Sequence, residues 1–155
     1  MKKTPTQLFN SVEKIAHKVK QEFKEQGIII PTRDKKGNVV IGRFTVAKRK
    51  TAYYIVNQTG VDVVGPINLV ETAVVIANDM ALGRLADSNL LNSDRWYGWK
   101  SFEAQNSKTV AEIASKKKDY DRAEINAYRA EKAQNLVLHY KQIIDSRFNK
   151  LRKLT

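Results

Sequence analysis

The chain has no cysteine. Disulfides, thiolate metal sites and cysteine nucleophiles are therefore excluded. Histidine is scarce. His17 and His139 have no partner at ligand spacing, and Leu136 stands where a helical Glu-x-x-His motif would need Glu. No long hydrophobic run occurs. The longest, around Ala73 to Ala77, falls far short of the roughly 20 residues that span a bilayer. The residues after Met1-Lys2-Lys3-Thr4-Pro5 mix charge and hydrophobe, which is not a signal-peptide core. Phosphate-cradling glycine loops are missing: Pro66 follows Gly65 where a P-loop needs Lys. A Gly-x-Ser-x-Gly elbow is absent as well. These gaps predict a soluble, cytoplasmic, non-secreted protein with no cofactor, no metal and no enzymatic activity.

Glycine and proline are missing from one region in particular. All seven glycines and three prolines lie at or before Gly98, and none occurs from Trp99 to Thr155. The first part is punctuated like a compact fold, and the second is cleared of helix breakers. The expected organisation is a compact α+β domain over 1–98 and a long helical extension over 99–155, together one structural unit.

Acidic residues are also few. Sixteen acids stand against 28 bases, a net charge of +12. Such a balance favours polyanionic partners. The excess is clustered. One cluster holds Arg33, Lys35, Lys36, Arg43, Lys48, Arg49 and Lys50, with Asp34 the one acid between. The other is the tail with Arg147, Lys150, Arg152 and Lys153.

What is present reads as follows. Thr4 and Gln7 form a capping box with Pro5 at the first helical position. Leu8, Val12, Ile15, Val19 and Phe23 then make one apolar stripe, and Gly27 suits the C-terminal cap. Strands are expected over Val39–Ala47, Ala52–Val56 and Val61–Val64, the last stopped by Gly65-Pro66. Ile28 to Ile30 would be an added edge strand. This makes a three- or four-stranded antiparallel sheet. Asn68 and Glu71 then read as a second capping box, opening a helix to about Leu82 with Gly83 as its cap. That helix is apolar nearly all round, so it should be buried on the sheet. Lys116 to Asp119 is a polar bend. Beyond it Ala123, Ala127, Ala130 and Ala133 lead into Val137, Tyr140, Ile144, Phe148 and Leu151, a long helix. Residues 99–155 form either one long helix or a helical hairpin.

Four features invite functional readings. The basic segment from Arg33 to Lys50 reads either as a ribbon tracking a phosphate backbone or as an edge protected by lysines. Trp96, Tyr97 and Trp99 can stack nucleobases or serve as a packing latch, and packing is preferred. Ala123, Ala127 and Ala130 permit close helix approach and mark a self-association stripe. A carboxylate pair, Asp62 and Glu71, is the weak enzymatic alternative.

Gly27 to Pro31, Ile67 to Ala73 continuing to Gly83, and Trp96 to Thr109 resemble small proteins encoded by marine tailed phages that infect cyanobacteria. The resemblance implies a product inside the host cell or a virion component. It brings no activity and no site residues with it. Two functions are therefore carried forward: a basic accessory protein associating with nucleic acid, and an oligomeric assembly protein using its C-terminal helix.

Overall fold

The computed structural model describes residues 29–153, and the expected helix over 5–26 lies outside them. The fold is α+β: a five-stranded sheet followed by three helices. The strands are β1 (Thr32–Arg33), β2 (Val39–Ile41), β3 (Phe44–Arg49), β4 (Ala52–Val56) and β5 (Asp62–Ile67). They pair in chain order as an antiparallel meander.

Five strands replace the expected three or four for local reasons. The stretch Val39–Ala47 is not one strand. Ile41 pairs with Phe44 across a two-residue turn whose first residue, Gly42, sits at φ +59. A hairpin needs that left-handed position, and glycine takes it without strain. Of the expected edge strand Ile28–Ile30, the described residues Ile29 and Ile30 are not in the ladder. The amide of Ile29 donates instead to Asn78 Oδ1 at 2.8 Å, and Pro31 has no amide, so the ladder starts at Thr32. Nor does Gly65-Pro66 stop β5. As an outer strand it tolerates a missing donor, and it runs on, through a cis peptide, to the buried Ile67.

The helices are α1 (Val70–Ala81), α2 (Ser88–Lys116) and α3 (Tyr120–Lys153). Helix α1 is buried along most of its surface, as its apolar circumference predicts. It lies between the sheet and the base of the two long helices. Ile41, Val46, Ile55 and Ile67 meet Ala73, Val75, Ile76 and Ala77, and Leu90 and Ile144 close the cluster. The expected capping box is not made. Leu69 is the N-cap and no side chain caps the helix. The buried carboxylate of Asp94 instead accepts from the amides of Asn68 (2.7 Å) and Leu69 (3.0 Å). Asn68 is held away from a capping role because its own amide nitrogen donates to the Asp94 carbonyl at 2.9 Å.

Residues 99–155 resolve to the hairpin alternative, and the hairpin starts earlier than Trp99. Helix α2 opens at Asp87, whose side chain accepts from the amides of Asn89 and Leu90. It runs unbroken through Gly98, so the division placed there falls inside a helix. Gly98 is present for room: a Cβ there would lie 2.4 Å from the Asn68 side chain. Helix α2 ends in a Schellman motif. Lys118 takes φ +60, its amide bonds Ser115 and the Asp119 amide bonds Ala114 at 2.9 Å. Asp119 Oδ1 then accepts from the Arg122 amide and caps α3.

The two helices, 29 and 34 residues long, meet along residues three and four apart. On α2 the seam holds Tyr97, Ser101, Ala104, Ser107 and Ala114, and on α3 Asn126, Ala130, Ala133, Val137, Tyr140 and Ile144. Small residues face small residues toward the tip. The core cluster and the partly buried side chains around it take only Leu90 and Leu91 from α2, and only Ile144, Phe148 and Leu151 from α3. The rest of the hairpin projects as an arm.

Candidate nucleic-acid interface

In an antiparallel meander alternate turns lie at the same end of the sheet. The β1–β2 turn and the β3–β4 turn therefore share one end, and the β2–β3 turn lies at the other. This places Arg33, Lys35, Lys36, Lys48, Arg49 and Lys50 together, and separates Arg43 from them. All six are exposed.

Each turn is built by local chemistry that leaves its lysines outward. Asp34, the acid within the basic run, has its carboxylate occupied by the amides of Lys36 and Asn38, both at 2.9 Å. Arg33 closes the same turn by donating to the Gly37 carbonyl at 2.8 Å. In the second turn Lys50 adopts φ +56 between the paired residues Arg49 and Ala52. Among the described residues Lys35, Lys36, Lys48 and Lys50 make no ion pair.

Two cations lie over aromatic rings. Lys48 Nζ stands 5.8 Å from the Tyr53 centroid, and the Arg49 guanidinium 5.1 Å from that of Tyr54. Arg49 also donates to Asp62 and forms an ion pair with it, which holds its pKa above the ordinary arginine value. Gly65 also packs against the Tyr54 ring, where a Cβ would come within 2.4 Å of Cδ1. Gly65-Pro66 marks that contact in the sequence, but spacing alone does not say which ring it receives.

The second basic cluster is divided. Arg147 is structural: it donates to Asp87 at 2.8 Å and to Asp79 at 3.2 Å, tying α3 to α1 and to the start of α2. Burial raises the Asp79 pKa, against the pull of Arg147 and Arg84. At Asp87 burial opposes ionisation, but the Arg147 bond and the Leu90 and Asn89 amides outweigh it and lower the pKa. Lys150 and Arg152 are exposed, and Lys153 is the last residue of α3. Arg152 lines a cavity of about 100 Å³ with Ile41, the residue before the Gly42–Arg43 turn. The tail thus lies toward the opposite end of the sheet from the six-cation patch.

The three alanines of the self-association stripe differ in exposure. Ala123 and Ala130 are half-buried on the seam toward α2, and Ala127 is exposed. The carboxylates Asp62 and Glu71 go to different cations, Arg49 and Lys141, the latter at 3.5 Å. Among the described residues no group of three His, Asp or Glu side chains is placed to hold a metal ion, and no helix is long and apolar enough to cross a membrane.

No family model matches the chain, and neither a curated protein nor a solved structure matches it significantly.

Proposed function

We propose that the chain is a small, non-enzymatic accessory protein that associates with nucleic acid through the six-cation end of its sheet, and that it is phage-encoded, as the resemblance implies. One observation carries this reading. Two turns separated in sequence bring Arg33, Lys35, Lys36, Lys48, Arg49 and Lys50 to the same end. An edge protected against aggregation needs one or two lysines, not six cations on adjacent turns. Lysines without ion-pair partners suit phosphate oxygens, which favours binding through the backbone of the nucleic acid.

Fluorescence anisotropy with labelled oligonucleotides at several salt concentrations tests this. If all six cations meet phosphates, the logarithm of the binding constant falls against that of salt with a slope of about −5 for duplex and about −4 for single strands. Replacing Lys35, Lys36, Lys48 and Lys50 together by Ala should remove roughly three to four units of the duplex slope, and Arg43→Ala at most about one. Absence of binding at low salt, or equal slopes for the quadruple variant and the parent, would exclude the assignment.

A further inference from the structure

The projecting arm carries an apolar face that no other described residue packs against. Gly98 and Lys141 point to the α1 side, the first against Asn68 and the second toward Glu71. Trp96 and Ile143 each lie two residues away along their helix, so they point about 200° around it, to the opposite side. Trp99, three residues from Trp96, lies about 60° from it on the flank of that face, and Ile113, two heptads further, follows Trp99 along α2. Leu136, one heptad from Ile143, continues it along α3. All of these large side chains are at least one-third exposed, and Trp99 is 65% exposed. Phe102, at 74%, borders them.

We infer that this face is the contact between two copies of the chain, whose arms pack together as a four-helix bundle. Three observations select a second copy. The first is area. Scaled by their fractional exposure, the six side chains of the face present on the order of 500 Å², close to the apolar share of the roughly 800 Å² that each partner brings to a standard interface. The second is charge. Between Lys100 and Val137 eight basic residues stand against six acidic, a net +2 of the chain's +12. The arm therefore carries little of the positive charge that opposes the approach of a second copy, and its mixed signs allow pairing across the contact. Glu103, Glu112, Glu124 and Glu131 on the same segment disfavour a polyanion as occupant. The third is the seam. An arm joined through Ala and Ser buries little by itself, and antiparallel helix pairs reach a full core by packing two by two.

The two tryptophans of the chain, Trp96 and Trp99, both lie in this face. Their rings meet edge to face at 5.1 Å, and Lys100 stands over Trp96. Intrinsic fluorescence therefore reads the interface directly. The experiment is light scattering with tryptophan emission on the full chain over a dilution series, beside Phe102→Glu/Ile113→Glu, which changes two exposed positions and leaves the probes in place. The expected result is a dimer whose emission moves to longer wavelength and becomes accessible to a soluble quencher on dilution. The double variant should be monomeric at the same concentration, with exposed tryptophans and an unchanged far-ultraviolet circular dichroism spectrum. Three results overturn the inference: a monomer with exposed tryptophans at every concentration, a dimer whose tryptophans stay exposed, or a monomer whose tryptophans are already shielded. The last would assign the face to the apolar stripe of residues 8–23 of the same chain. None of these outcomes bears on the sheet-end patch, whose salt slope is read separately.

Discussion

Asp79 and Asp87 share one arginine and differ in every other respect. Asp79 is 8% exposed, and burial holds its pKa above the ordinary carboxylate value. Asp87 is a helix N-cap whose hydrogen bonds lower its pKa. The pH dependence follows from these directions. A lowered folded-state pKa means that the Asp87 contribution is present above the unfolded value of about 4 and is lost as pH falls through the folded one. A raised pKa at Asp79 works the other way, so protonating it first favours the folded state. Asp87→Ala should cost about 1–2 kcal/mol in urea unfolding at neutral pH and flatten the acid limb, whereas Asp79→Asn should cost less and leave an acid limb steeper than the parent's. A larger loss at Asp79→Asn would mean that the Arg147 bridge outweighs burial. Thr72 offers a cleaner case. It is fully buried, and among the described residues its Oγ1 has no hydrogen-bond partner. Thr72→Val keeps the shape and removes an unsatisfied group, so the thermal midpoint should rise, with a gain of about 1 kcal/mol.

Two helices end alike, in Schellman turns, but with different residues at the left-handed position. Helix α1 uses Gly83 at φ +83 and α2 uses Lys118 at φ +60. A side chain in that region costs roughly 1 kcal/mol that glycine avoids. Lys118→Gly should therefore stabilise the hairpin by about 0.5–1 kcal/mol, measured as a raised denaturation midpoint with an unchanged m-value. A fall would show that Lys118 makes contacts worth more than its backbone strain. The same comparison shows what a sequence discloses about an element. Gly83 announces the end of α1, whereas Lys118 sits in a run of lysines that marks a bend without saying that the chain reverses. The buried character of α1 was readable from its apolar circumference, and the meander from β-branched runs between turn residues. Asp94 was not readable as the group that receives the amides of Asn68 and Leu69, because its partners lie about 25 residues away and no periodicity links them. Gly98 misled for a related reason. A glycine that makes room for a distant side chain looks, along the chain, like one that breaks a helix.

At the scale of the molecule, alternation of the turns between the two ends of the sheet turns a loose cluster of bases into a patch and sets Arg43 apart from it. The sequence disclosed the charges but not this division, since the split of Val39–Ala47 at Gly42 decides which turn faces which way. The alanine stripe likewise pointed to close helix packing without disclosing that its partner is the preceding helix of the same chain. The meander has a further consequence, for the order of assembly. Every strand pairs with its neighbour in sequence, and α3 packs on the helix just before it. Contacts this local close small loops, which is the condition for rapid folding. Strand pairing and the pairing of α3 on α2 can therefore begin before the shared core is closed. What must come from far along the chain is the closing of the core by Leu90, Ile144, Phe148 and Leu151, with a short set of polar ties: Asn68 to Asp94, Glu71 to Lys141, and Arg147 back to Asp79 across 68 residues. These polar bonds, clustered where the arm meets the sheet, are where the two halves find their register, and a chain emerging from a ribosome makes the last of them only when α3 is nearly complete.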